Sequence, residues 1–124
     1  MPQFDKAQVR DYYDRHTAEF ISRGQGGHLG AIHRAVWGPG ISSRSDAFRY
    51  VENQIAEHLS GLAQRDGLVR PHVIDLGCGI GSSLCALAER LDIRGTGVTL
   101  SPVQALLAQQ RIAESRQADY IRCI

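Results

Sequence analysis

The 124-residue sequence has no run approaching the roughly 18 uncharged apolar residues that a membrane span requires, and its first ten residues hold no apolar signal segment. These absences leave a cytoplasmic protein as the expectation. Lysine occurs once, at Lys6, and there is no basic block: nine basic and eight acidic residues precede position 71, and five of each follow it. A nucleic-acid partner ordinarily needs a basic stripe, so none is expected. The three cysteines, Cys78, Cys85 and Cys123, are odd in number and lack CxxC spacing, which argues against a disulfide framework and against a zinc site. Internal repeats and low-complexity segments are also missing. At 43% hydrophobic and 22% charged, the remainder has the composition of one ordinary globular domain.

What is present is patterned. From Phe4 to Ile21, Val9, Tyr13, His16 and Phe20 recur at steps of four, three and four, the period of one helix face. Six glycines between Gly24 and Gly40, with Pro39, predict a loop or lid around a short helical turn at Ala31 to Trp37. From Ser45 to Gln64, the spacing of Phe48, Val51, Ile55, Leu59 and Leu62 predicts a longer helix with those side chains inward. Pro71 opens HVIDLGCG, an apolar run stopped by glycine that reads as a buried parallel strand. Helical spacing at Leu84, Leu87, Ala88 and Leu91, a second strand in RGTGVTL, another helix from Ser101 and the start of a third strand at Tyr120 to Ile124 complete an α/β alternation.

The string VIDLGCGIGSS, Val73 to Ser83, lies between strand and helix, where open α/β sheets take nucleotides. Gly77 and Gly79 permit tight turning and let a ligand reach the backbone, and Gly81 lets the helix start close to the strand. Free N–H groups at that helix start suit an anionic group such as a carboxylate. A dinucleotide turn reads GxGxxG, whereas these glycines stand at 77, 79 and 81, with Ser82 in the third glycine's place. With Asp75 ahead of it, the string resembles the first motif of the class I S-adenosylmethionine-dependent methyltransferases. GVTLSPVQ, Gly97 to Gln104, resembles the corresponding second segment of a small-molecule subgroup that includes tocopherol methyltransferases and cyclopropane fatty-acid synthases.

The resemblance implies N-terminal helices followed by the first half of a Rossmann-like, doubly wound sheet, with S-adenosyl-L-methionine as cofactor. It further implies that Gly77, Cys78 and Gly79 meet the cofactor along the turn and that Asp75 orients the turn or the cofactor's amino group. Thr99, Leu100 and Gln104 would line the ribose and adenine. Most of the class carries an acid where Thr99 stands, so ribose binding is expected to be shared with Gln104. The residues themselves offer an alternative for Ser101-Pro102-Val103-Gln104, a capping box: serine as N-cap, proline first in the helix, glutamine bonding back.

The subgroup often opens with a Tyr-Tyr-Asp helix and a His/Gly segment folded over the cofactor. Tyr12, Tyr13 and Asp14, with Gly27, His28, Leu29 and Gly30, match those parts, and Tyr13 is carried over as a cofactor contact against a packing role. His28 and His33 are the candidate general bases, because imidazole titrates near neutrality. They stand five apart with no carboxylate nearby, which is not a metal spacing. Trp37 is read as a packing anchor or pocket lid.

The activity implied is transfer of a methyl group to a small organic acceptor by in-line displacement, driven by positioning and exclusion of water. An NAD-dependent oxidoreductase is an alternative that the glycine spacing opposes. A non-catalytic nucleotide-fold interaction module is another, favoured by the short length. Residues 1–70 read as a helical cap or lid and residues 71–124 as the first part of a cofactor-binding domain. Two strands and the start of a third are few for this class, so the sequence reads as part of a longer enzyme whose incomplete sheet favours self-association.

Overall fold

The ends of the elements fall where local chemistry places them. In the computed structural model, which describes residues 5–23, 30 and 33–124, the order is α1 (Lys6–Arg23), α2 (Arg44–Asp66), β1 (His72–Leu76), α3 (Ser82–Arg90), β2 (Arg94–Val98), α4 (Pro102–Glu114) and β3 (Ile121–Cys123). Helix α2 begins at Ser43, whose hydroxyl accepts from Asp46 N at 3.1 Å, and ends at the left-handed Gly67, whose N–H bonds to Ala63 O. Helix α4 begins at Ser101, which accepts from Gln104 N at 3.1 Å, with Pro102 in the first turn where a missing N–H costs nothing.

The three strands are parallel in the order β1-β2-β3, with Ile74 opposite Thr96 and Thr96 opposite Arg122. Alternation along each strand puts Val73, Gly95 and Ile121, then Asp75, Gly97 and Cys123, on one face. That face carries the core. Leu84 and Ala88 of α3, Ala108 and Ile112 of α4, Ala56 of α2 and Ile121 cluster there, and α1 lies along α4. Glycine in β2 makes the approach possible, because a Cβ at Gly95 would stand 2.8 Å from Leu84 Cδ1.

The other face is open among the described residues. Thr96 Oγ1 accepts from Arg122 Nε at 3.2 Å and lies 2.8 Å from His72 Nε2, while Ile74 and Leu76 are 60% and 80% exposed. Strand β1 is therefore half-buried rather than the fully buried strand its apolar run predicts, since its helices all pack on one side.

Helix α2 is present as expected, but its inward stripe is rotated. Ala47, Phe48, Glu52 and Ala56 are buried, whereas Val51, Ile55 and Leu62 stay exposed. The alanines let the backbone of α2 come close to its neighbour, and the Glu52 carboxylate is matched by Arg49 Nη1 at 2.6 Å. Arg90 of α3 hydrogen-bonds Asn53 across the same contact. The helical turn expected at Ala31 to Trp37 is not seen in residues 33–37, where Val36 N bonds instead to Ala47 O at 2.8 Å. Of the buried apolar residues of α2, Ala56 joins the cluster on the sheet, whereas Ala47 and Phe48 are buried outside it.

Candidate functional site

Gly77 and Cys78 follow β1, and both N–H groups donate to Val98 O, at 2.8 and 3.1 Å, so the turn is fastened to the end of β2. Gly77 has φ +83°, and a Cβ there would meet nothing within 4 Å. The backbone is thus bare toward open space. Gly81, also left-handed, is constrained elsewhere than expected: its Cβ would lie 3.2 Å from Ala108 Cβ, so it accommodates α4 rather than the strand. Helix α3 opens without a side-chain cap, leaving its first N–H groups for an incoming acceptor.

These residues wall a cleft of about 350 Å³, lined by Asp75, Gly77, Cys78, Gly79 and Ser82, with Ile55 and His33 at its side. The Asp75 carboxyl has no hydrogen-bond or salt-bridge partner among the described residues, and burial raises its pKa above the ordinary 3.8. A partly buried carboxylate without a cation is suited to receiving one. Cys78 contributes its backbone. Its Sγ turns inward, 3.4 Å from Cys123 Sγ, and burial followed by the bond to Cys123 pushes the thiol up to about 12. It is a packing thiol, protonated at neutral pH.

Beyond β2, Thr99 Oγ1 donates to Gln104 Oε1 at 2.9 Å and accepts from Ser101 N at 3.3 Å. Gln104 is 4% exposed, and its Nε2 donates to Thr17 Oγ1 of α1 at 3.1 Å. Both ends of the Gln104 amide therefore have partners inside the protein, Thr99 on one side and Thr17 on the other. The capping box is half-formed: Ser101 accepts from Gln104 N, but Gln104 does not return to Ser101 N, which Thr99 has taken. The Ser101 hydroxyl donates to Asp14 of α1. Leu100 is exposed.

Tyr13 is half-exposed and sits edge-on to Tyr12, with ring centroids 5.5 Å apart. What the network takes from Tyr13 is its carbonyl, which accepts from Thr17 Oγ1 at 2.6 Å. Sequence reasoning missed Thr17. The available signal was a polar residue facing inward beside an apolar helix stripe. His33 is exposed, its Nδ1 3.0 Å from Arg34 O, without a carboxylate partner among the described residues. Gly27, His28 and Leu29 lie outside the described residues, whereas Gly30 is buried where a Cβ would overlap the Arg111 guanidinium. Trp37 is exposed rather than anchored. Among the described residues, no three His, Cys, Asp or Glu side chains are grouped to hold a metal. No described helix is long and apolar enough to cross a membrane.

A parallel β1-β2-β3 sheet with a glycine turn after its first strand and helices packed on one face is part of the Rossmann-like methyltransferase fold. No family model matches the chain. In sequence it is 34% identical over 93 residues to a probable tocopherol O-methyltransferase, chloroplastic, of Oryza sativa subsp. japonica, an alignment taking in 73% of this chain and 26% of that protein. Among solved structures, the [4+2]-cyclase SpnF matches with a TM-score of 0.72 at 25% identity, over 100% of this chain and 43% of that one. Geranyl diphosphate C-methyltransferase from Streptomyces coelicolor A3(2), in complex with Mg2+, geranyl-S-thiolodiphosphate and S-adenosyl-L-homocysteine, matches with a TM-score of 0.62 at 25% identity, over 99% and 49%. Mycolic acid cyclopropane synthase CmaA1, at 21% identity and a TM-score of 0.66, shares the fold. The chain spans less than half the length of each of these proteins. The rice relative and the solved structures agree with the resemblance read from Val73 to Ser83 and from Gly97 to Gln104, the former in sequence and the latter in fold.

Proposed function

We propose that the protein binds S-adenosyl-L-methionine at Asp75 to Gly81 and serves transfer of the cofactor's methyl group to a small organic acceptor. The observation that carries this is the bare, left-handed Gly77 turn, fastened to β2 beside an Asp75 that has no partner among the described residues. When bound, the cofactor would supply an electrophilic sulfonium methyl for displacement by the acceptor, with S-adenosylhomocysteine as the leaving group. The residues of this chain hold and orient. The backbone of Gly77, Cys78 and Gly79 lies along the methionine end, Asp75 takes the ammonium, and the uncapped start of α3 takes the carboxylate. Thr99, with Gln104 behind it, and Leu100 would line the ribose and adenine side, and Tyr13 would be a further contact. His33, at the cleft, and His28 are the candidates for an acceptor's base. The names of the relatives, tocopherol O-methyltransferase and geranyl diphosphate C-methyltransferase, support a small-molecule acceptor, and S-adenosyl-L-homocysteine in the latter supports the cofactor.

Calorimetric titration with S-adenosylhomocysteine tests this, with NAD as the comparison. Asp75→Asn should weaken binding on the order of tenfold at pH 7, the worth of one hydrogen bond to a charged group. Acid should also weaken wild-type binding as Asp75 protonates. Because burial raises its pKa, the loss begins at higher pH than for an ordinary carboxylate. The sign is opposite for the free protein: ionising Asp75 costs stability as pH rises from the unfolded toward the folded pKa, and a bound ammonium restores it. Binding of NAD without S-adenosylhomocysteine would overturn the assignment.

Residues 1–70 then serve as cover for a site held by residues 71–124. The free thiols of Cys78, Cys85 and Cys123 support a reducing compartment, the cytoplasm in our reading, although the rice relative is chloroplastic. No nucleic acid is involved in this scheme. The open sheet face supports self-association, since Ile74 and Leu76 lie side by side on it. The chain is expected to show a concentration-dependent mass in light scattering, and Leu76→Lys to return it toward 13.6 kDa. A wild-type monomer at all concentrations would exclude this.

A further inference from the structure

We propose that Thr17 of α1, acting through Gln104, fixes Thr99 as a hydrogen-bond acceptor only, so that the end of β2 selects a ligand by a hydroxyl proton that the ligand must supply. The inference rests on the reading above, in which Thr99 faces the ribose.

The sense of each bond follows from one group that cannot donate. Tyr13 O is a backbone carbonyl 2.6 Å from Thr17 Oγ1, and two oxygens at that distance share a proton. Thr17 has to supply it. A hydroxyl has one proton, so the contact from Thr17 Oγ1 to Gln104 at 3.1 Å must be donated by the amide nitrogen. That choice fixes the amide: with Nε2 toward Thr17, Oε1 faces Thr99 at 2.9 Å. The Thr99 proton is therefore spent on Gln104.

Burial keeps the order from scrambling. Thr17 is fully buried and Gln104 and Ser101 nearly so, and reversing the amide would set its nitrogen against the hydroxyl proton of Thr99. Ser101 N occupies a lone pair of Thr99 Oγ1 at 3.3 Å, which leaves the oxygen with room to accept and nothing to give. The chain of bonds joins residues 87 positions apart. In consequence, a neutral hydroxyl is given the one-way polarity of a carboxylate. Gln104 and Thr17 are positioning residues in this scheme, and Thr99 is the contact.

The experiment is calorimetric titration with S-adenosylhomocysteine and with analogues in which each ribose hydroxyl in turn is replaced by hydrogen or by fluorine. Fluorine cannot donate. At the hydroxyl facing Thr99, both replacements should weaken wild-type binding to a similar degree, about fivefold. In Thr17→Val, Gln104 is free to turn and Thr99 regains a proton to donate, so the fluoro analogue should bind better than the deoxy analogue. Thr17→Ser should restore the wild-type ratio. In Thr99→Val the three ligands should bind alike. Loss of packing alone would lower the melting temperature of Thr17→Val without altering the fluoro-to-deoxy ratio, and that result would overturn the proposal. So would a fluoro analogue that binds the wild type as well as the parent does.

A ligand-free measurement separates this from the cofactor assignment. Nuclear Overhauser contacts from the Gln104 side-chain NH2 should reach Thr17 rather than Thr99, and the reverse pattern would overturn the proposed polarity whatever binds. If the contacts are as expected but S-adenosylhomocysteine does not bind, the cofactor reading fails, and the acceptor role of Thr99 toward a ribose fails with it.

Discussion

Gly77→Asn is expected to leave the protein folded while lowering its affinity for S-adenosylhomocysteine about a hundredfold, the equivalent of roughly two or three hydrogen bonds. Asparagine is chosen because it tolerates the left-handed conformation that Gly77 adopts at φ +83°. Its Cβ would enter open space, so the free protein suffers no overlap. The N–H bonds of residues 77 and 78 to Val98 O also survive, which keeps the turn in place. What changes is the space in front of the backbone, now filled by a side chain. Calorimetry paired with thermal denaturation separates the effects: a fall in affinity with a melting point within a few degrees of wild type is the expected pair. Unchanged affinity would show that nothing approaches the turn closely, and the cofactor assignment would fall.

Leu84→Ala should have the largest effect on stability, a loss of roughly 2–5 kcal/mol. Leu84 is 1% exposed, and its Cδ1 and Cδ2 fill the space over Gly95 and Gly97, where β2 offers no side chains of its own. The helix cannot settle into the gap, because Gly81 already brings its first turn against Ala108 and Cys85 N is bonded to Gly81 O. A cavity would remain. Leu106→Ala, at an exposed position of α4, is the comparison and should change little. Equal denaturation midpoints for the two variants would mean that α3 is not seated on the sheet as described.

Much of the architecture is legible in the sequence because its signals are local. Ser101-Pro102 starts α4 within one turn of where the chain itself says so, and the glycines after Leu76 stop β1. The glycine turn is legible for the same reason, since its geometry and its sequence occupy the same few residues. Helix α2 shows where this ends. Its strongest apolar period pointed to Val51, Ile55 and Leu62, but close packing favoured Ala47 and Ala56 and drew in Glu52 with Arg49, which periodicity alone would have placed in water. Gln104 shows it more sharply. Read locally it was either a ligand contact or half of a capping box, yet its amide is committed to Thr17, a residue whose proximity depends on how α1 docks. The sheet face left open by the described residues was likewise invisible in the apolar run of β1, which does not record how many sides are covered.

The glycines of β2 have an effect on the cleft although they do not line it. A Cβ at Gly97 would stand 2.7 Å from Cys78 Sγ, and Cys78 is the middle of the turn to which ligand binding is assigned in our proposal. The gap between β2 and the turn is thus a gauge, cut to the thickness of a strand without side chains. Any larger residue at 95 or 97 would lift α3 or the turn away from the sheet and change the cleft's depth from behind. Divergence in ligand size among proteins of this fold is to be sought in the second strand as well as in the walls the ligand touches.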